Sequence, residues 1–425
     1  MALFINNFVI INVIDDPFWG RDGKMKKATF ITIIVLSIFT ISLLTTTRLI
    51  VNKTKVQTWQ KTFGGKNDDE ANSIQQTTDG GYIVAGSTES LGTGGKDVYI
   101  LKLNSKGEIE WQRIFDGGSN DQATSIQQTT DGGYIVAGWT ESFSSGGTDG
   151  YILKLNSNGG VEWQKTFGGK YNDEAYSIQQ TTDGGYIVAG ETYSFETGGY
   201  YDVYILKLNS KGEIEWQKTF GGDGFDIAMS IQQTADGGYI IAGCAGWTYS
   251  FDSDSQDVYI LKLNAKGEIE WQKTFGGKYI DEAYSIQQTA DGGYIVAGCT
   301  ESFGFGLYVR HVYILKLNPK GEVEWEKTFG EDTLDIAMSV QQTTDGGYII
   351  AGWTYSFDSD SQDVYILKLN SKGEVEWQKT FGGKEDDIAK SIKQTTDGGY
   401  IVAGWTKSFG FGGYDAYFLK LNPIF

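Results

Sequence analysis

The stretch SIQQTTDGGYIVAG at Ser73–Gly86 returns with few changes beginning at Ser125, Ser177, Ser230, Ser285, Ser339 and Ser391. Self-similarity at a period of roughly fifty residues is the signature of a repeat architecture, and it constrains the fold before any single motif does. Each repeat holds four runs of strand character. In the first repeat they are Ser73–Thr77, Tyr82–Thr88, Asp97–Asn104 and Glu108–Phe115. Thr78-Asp79-Gly80-Gly81 and Ser105-Lys106-Gly107 fall where hairpin turns need residues that tolerate positive φ. The second and third runs are apolar on both faces, as in strands sandwiched between neighbouring sheets. The fourth sets Ile109, Trp111 and Phe115 against Glu108, Glu110 and Gln112, a half-buried pattern. Proline stands only at Pro17, Pro319 and Pro423, so no strand interior is interrupted.

A four-stranded antiparallel unit repeated seven times predicts an all-β, seven-bladed β-propeller, which hides its sheet edges by radial repetition. The chain ends agree. Val56–Phe63 is an orphan fourth strand ahead of the first repeat, and Ser391–Asn422 supplies only three strands. The amino-terminal strand therefore completes the seventh blade, a one-plus-three closure. The SIQQT strands then line the axis and the EIEWQKTF strands the rim. Trp59, Trp111, Trp163, Trp216, Trp271, Trp325 and Trp377 are expected between blades.

The DGGYIVAG core, with WQKTFGG before it and YILKLN after it, resembles the propeller repeats of uncharacterised bacterial and archaeal surface proteins. The resemblance covers residues 56–425 and implies an extracytoplasmic propeller without an assigned activity. Two enzyme families are echoed more locally. LNSKGEIEW at Leu103–Trp111 looks like the tryptophan-docking turn of quinoprotein dehydrogenases, one residue shorter. Thr77-Thr78-Asp79-Gly80-Gly81 looks like the Asp-box turn of sialidases. Neither resemblance brings its chemistry. Sialidases clamp a carboxylate with three arginines, and the repeats hold only Arg113 and Arg310.

The chain carries a formal charge of −19, and the imbalance sits in the repeats. Residues 1–51 hold five basic and three acidic side chains, leaving 30 against 51 beyond them. Such a polyanion repels nucleic acid, whose binding needs clustered Lys and Arg. Cations are its natural partners. Met25-Lys26-Lys27 precedes the apolar run Ala28–Leu44, the shape of a secretory signal or a signal anchor. The basic flank orients the propeller outward, so the membrane enters only through this segment. Domains are therefore expected at 25–51 (export segment) and 52–425 (propeller), with 1–24 an upstream gene-model extension. Cys244 and Cys299 fall at equivalent positions of adjacent blades, too far apart for a disulfide, and a monomer is expected.

The blades differ most in the loop between their second and third strands. Phe143, Phe195, Phe251, Phe303, Phe357 and Phe409 stud these loops, as loop anchors or as a ligand platform, with Phe303 and Phe409 retained as ligand-binding candidates. Asp252, Asp254 and Asp257, with their twins Asp358, Asp360 and Asp363, place oxygens at alternate positions as calcium loops do. A solvated loop is the competing reading, since the Gly and Glu of an EF-hand loop are missing. Asp69 and its six equivalents recur two residues before an Ala and read as turn-fixing hydrogen-bond acceptors. In the fifth blade Arg310-His311 replaces the usual residue–Asp pair, a candidate anion contact or a drifted structural position.

With a single histidine the chain has no His-based metal cluster or His-assisted nucleophile. The expected function is an exported, non-catalytic binding or structural module that presents its variable loop face at the cell surface. Its expected partner is a glycan or an extracellular protein, and calcium is the one cofactor considered. The alternative is a carboxylate-based polysaccharide hydrolase or lyase.

Overall fold

The computed structural model describes residues 2–5, 8–11, 59–195, 200–247, 256–303, 309–330, 334–356 and 360–423. It divides into two units, residues 1–57 and 58–425. In the first, Ala2–Ile5 and Phe8–Ile11 pair as an antiparallel hairpin. The apolar run 28–44 lies outside the described residues. No helix among the described residues is long and apolar enough to cross a membrane.

The second unit is a seven-bladed β-propeller of four-stranded antiparallel blades. Blade one comprises Asp69–Gln76, Tyr82–Thr88, Asp97–Leu103 and Ile109–Phe115. Five more blades repeat this order, and the seventh joins Asp387–Gln394, Tyr400–Thr406 and Asp415–Leu421 to Trp59–Phe63. The closure is one-plus-three. The first strand begins earlier than its Ser73–Thr77 run suggested, at Asp69, because a bulge between Ala71 and Ser73 lets the chain keep pairing past the expected boundary. Asp-x-Ala is thus strand, not connection.

The second and third strands are buried along their whole length in blade one, as their two-sided apolar pattern required. Alternate residues face opposite neighbours. Tyr82 and Val84 pack with Ile401 and Ala403 of blade seven, whereas Ile83 and Ala85 pack with Val136 and Tyr134 of blade two. The core is therefore seven inter-blade layers rather than one centre. Each rim tryptophan packs on the Asp-Gly-Gly-Tyr tyrosine of the next blade, edge-on in the case of Trp111 and Tyr134 at 5.8 Å. It also covers the glycine of that blade's outer turn. A β-carbon on Gly159, at φ 76°, would lie 2.9 Å from the Trp111 ring.

Each third strand also sets a lysine into this apolar sandwich. Lys102, Lys154, Lys207, Lys262, Lys316, Lys368 and Lys420 are all buried in the third strands. Lys262 Nζ reaches Asp236 at 3.0 Å, Glu270 at 2.9 Å and the Leu263 carbonyl at 3.1 Å. The Asp belongs to the Asp-Gly-Gly turn and the Glu to the fourth strand, so one ammonium fastens three strands of a blade. In blade seven Lys420 meets Asp397 at 3.0 Å and Thr395 at 3.0 Å, because the closing strand carries Thr58 where the other blades carry Glu.

Candidate functional site

The inner strands enclose a central channel of about 490 Å³, lined mainly by serine and glutamine. Inner strands present unpaired N–H groups to the axis, and a neighbouring blade caps them. Ser73 Oγ accepts from Ile126 N at 3.3 Å, Gln75 Oε1 from Gln128 N at 2.7 Å, and Gln128 Oε1 from Thr78 N at 2.9 Å. The first and third contacts recur at all seven blade boundaries and the second at six, which is the work the near-constant SIQQT does.

One to three residues before Ser73 on this strand, towards the variable loops, the repetition stops. Four positions per blade change there: the second residue of the first strand, its bulge residue, the residue opposite on the second strand, and the one before the third strand. In blade one they are Glu70, Asn72, Ser87 and Lys96, with Lys96 2.8 Å from Glu70. Blade three has Glu174, Tyr176, Glu191 and Tyr201. Blade five has Glu282, Tyr284, Cys299 and Arg310, and blade seven Ile388, Lys390, Trp405 and Tyr414. Trp139 and Trp353 take the second-strand position in blades two and six. These residues form a layer at the loop-bearing end of the channel-lining strands.

Blade three brings two carboxyl groups together in this layer. Glu174 and Glu191 are cross-strand partners, and Tyr176 Oη donates to Glu174 at 2.9 Å while also reaching Glu191. Burial pushes the Glu191 carboxyl up to about 8, the Glu174 and Asp173 charges push the same way, and the Tyr176 hydrogen bond opposes them. Burial also raises Glu174. Tyr193 and Tyr201 pack beside the pair with ring centroids 5.2 Å apart. Glu191 is therefore a neutral acid near pH 7. Because its folded value lies above its unfolded one, its contribution is fully present below about pH 4.5 and is lost as pH rises through about 8. Glu191→Gln should flatten the fall in melting temperature between pH 6 and 9 and leave pH 4 nearly unchanged; equal slopes in scanning calorimetry would refute the assignment.

Arg310 is the blade-five counterpart of Lys96. Its guanidinium binds Glu282 and Glu301, each at 3.0 Å. His311 is buried and opens the third strand opposite Thr300, at a place where the other blades put aspartate. Those aspartates face a second one across each blade boundary. A β-carbon on Gly168 would sit 2.2 Å from Asp149 Oδ1 and 2.8 Å from Asp173 Oδ2, so the Phe-Gly-Gly connection threads between two carboxylates. Asp173 is saturated, accepting from Gly169 N at 2.8 Å, from Ser194 Oγ at 2.6 Å and from the Thr192 hydroxyl. This is the turn-fixing role expected of the repeated aspartate. Asp149 answers by binding a proton more tightly, through burial and the Asp173 charge. Asp97, with Asp116 and Asp121 nearby, is pushed up to about 6, burial being the larger cause.

Asp257 and Asp363 stand in the third strands at these boundary pairs, beside Asp281 and Asp387. Asp360 sits at φ 52° and accepts from the Tyr355 hydroxyl. Asp252, Asp254 and Asp358 lie outside the described residues. Among the described residues no group of three or more His, Cys, Asp or Glu is arranged to hold a metal ion. Phe303 and Phe409 pack on Tyr313 and Tyr417 of their own blades at 5.6 and 5.9 Å, and Phe143 and Phe195 do likewise. Phe411, two residues on, is 81 % exposed. Cys244 and Cys299 are buried free thiols, held protonated by burial. Sequence reasoning missed Glu174, Tyr176 and Glu191, although blade-by-blade alignment of the residue after Ala-Gly singles out Glu191.

A family described as a domain of unknown function (DUF5122) beta-propeller matches residues 129–161. The chain is 26 % identical over 163 residues to the regulatory protein FlaEY of Caulobacter vibrioides; that match covers 33 % of this chain and 17 % of FlaEY. The chain thus spans about a sixth of that relative's length. The WD40 domain of Neurospora crassa Pan2 superposes with a TM-score of 0.50 at 10 % identity, covering 84 % of this chain and 90 % of that one, and shares the fold. A protein of unknown function from Bacteroides caccae has 15 % identity and a TM-score of 0.42, covering 70 % and 93 %.

Proposed function

We propose that this chain is an exported, non-catalytic binding module whose ligand site is the blade-variable layer at the loop-bearing mouth of the channel. The observation that carries the reading is the contrast between a scaffold repeated almost residue for residue and one layer whose residues vary, charged and aromatic in blades one, three, five and seven and largely uncharged in blades two, four and six. Trp405 and Tyr414, with centroids 4.2 Å apart, Lys407 above Tyr414 at 5.7 Å, and exposed Phe411 make blade seven the aromatic platform. Flat rings flanked by carboxylates and amines suit a glycan, which offers apolar faces and hydroxyl rims. Export by residues 25–51, a surface location and a monomeric state are parts of the same proposal, as is calcium at Asp252, Asp254, Asp358 and Asp360. Arg310 serves this layer through its contacts with Glu282 and Glu301, and His311 follows it at the start of the third strand.

A glycan array probed with the full-length protein tests the reading. Binding to a restricted set of glycans, weakened at least tenfold by Trp405→Ala, is the expected result. Retention of no glycan, or retention indifferent to Trp405, would sink it. A second reading rests on Glu174 and Glu191. Two carboxyl groups of unequal acidity are what a glycoside hydrolase uses, one as acid and one as base or nucleophile. In that case Glu191 would supply the proton and Glu174 the negative charge.

A further inference from the structure

The channel has a donor–acceptor asymmetry independent of the mouth. A backbone N–H can pair only with the oxygen of a glutamine amide, so each cap fixes the orientation of the amide. Gln75, Gln127, Gln179, Gln232, Gln287 and Gln341 all spend their oxygens in this way, at 2.6–2.7 Å. Their NH₂ groups remain as donors. The lining contains no carboxylate, in a chain of net charge −19. At the seventh place of this ring stands Lys393, also on the channel wall. It cannot accept, so the N–H of Gln76 loses the cap that its equivalents keep. Its ammonium has neither a carboxylate nor a carbonyl partner among the described residues.

We propose that the central channel is a binding site for a small oxyanion of the carboxylate or phosphate class, anchored by Lys393 and surrounded by glutamine amide donors. A half-buried cation ringed by neutral amides has no counter-charge on the channel wall; an anion in the channel supplies one and accepts from the free NH₂ groups. Burial without a compensating charge lowers the proton affinity of Lys393, and anion binding should reverse this. About 490 Å³ is room for such a ligand with water.

Calorimetric titration of the full-length protein with inorganic phosphate and, separately, malonate tests the proposal. Saturable millimolar or tighter binding of either is expected, and which one binds assigns the class. Lys393→Gln installs the residue that six other blades carry, so it should fold, keep or raise the melting temperature, and bind the anion at least tenfold more weakly. Lys106→Gln, an equal change of charge on an exposed turn, should bind as the parent does. The proposal is overturned if neither anion binds, if Lys393→Gln binds as tightly as the parent, or if Lys106→Gln loses as much. None of these outcomes bears on the glycan reading, which concerns the mouth.

Discussion

Gly298→Ala should lower the melting temperature of the protein by on the order of 5–10 °C, through a loss of more than about 4 kcal/mol. The cause is steric and lies within one sheet. The bulge between Ala283 and Ser285 swings the first strand over Gly298, and a β-carbon there would lie 1.8 Å from the Glu282 carbonyl oxygen. The obstacle is backbone, so no rotamer relieves it. Either the bulge is lost and the blade-five inner strand shifts, or the second strand leaves the sheet. Both outcomes also disturb the Glu282–Arg310 pair. The matching glycines of the other blades meet the same carbonyl at 1.8–1.9 Å, which accounts for the unvarying Ala-Gly of the repeat. Gly222→Ala, with nothing within 4 Å of its β-carbon, is the control and should change stability by less than about 0.5 kcal/mol. Thermal denaturation of the two variants side by side decides the matter; equal melting temperatures would refute the close approach.

Lys262→Met should cost about 2–3 kcal/mol, the second largest effect expected of a single substitution. Methionine nearly fills the space of the buried stem, so little of the loss is cavity. What disappears is the charge that holds Asp236 and Glu270 together. Those carboxylates are 57 % and 44 % exposed at the side chain and can turn to water, which keeps the loss below the 3–5 kcal/mol typical of stranding a fully buried partner. Partial burial alone would raise the Asp236 carboxyl, but hydrogen bonds from Thr234, Gly238 and Lys262 outweigh it and hold it below the ordinary value. Asp79 and Asp131 are likewise held at about 2. Depressed values mean stability that is present above about pH 4 and lost as pH falls through about 2. Urea denaturation at pH 7 and pH 3 should therefore show a smaller Lys262→Met penalty at the lower pH; a constant penalty would separate the lysine from these carboxylates.

The architecture was legible because the residues that make it are the ones that repeat. Seven copies, four strand-like runs and an orphan strand at Val56–Phe63 led to the closed ring without any contact being known. The start of the first strand was misjudged because Asp69-Glu70-Ala71 reads as polar connection, and the bulge that keeps it in the sheet leaves no compositional mark. Lys102 and its equivalents went unremarked for a related reason. A lysine within Val-Tyr-Ile-Leu-Lys-Leu looks like an outward-facing residue until the fold brings an Asp from one turn and a Glu from another strand onto it. The candidate site was less legible still. Attention falls naturally on loops such as SFDSDSQ and SFGFGLYVR, where variation is long and conspicuous. The Glu174–Tyr176–Glu191 group and the Trp405–Tyr414 pair are single substitutions inside strands. Their significance depends on pairing register, which decides that Glu174 and Glu191 meet across one blade. Arg310, conspicuous in the sequence, proved to occupy the same position as Lys96.

We propose that the channel-mouth layer binds glycans and leaves them intact, and analysis of the bound polysaccharide decides it. The full-length protein is incubated with each polysaccharide it retains on an array, and the chain lengths and new reducing or unsaturated ends are read by mass spectrometry. Retention with no change in chain length at any pH from 5 to 8 is the expected result. Shortened products that vanish in Glu191→Gln would contradict it and make the blade-three carboxyl pair a catalytic one.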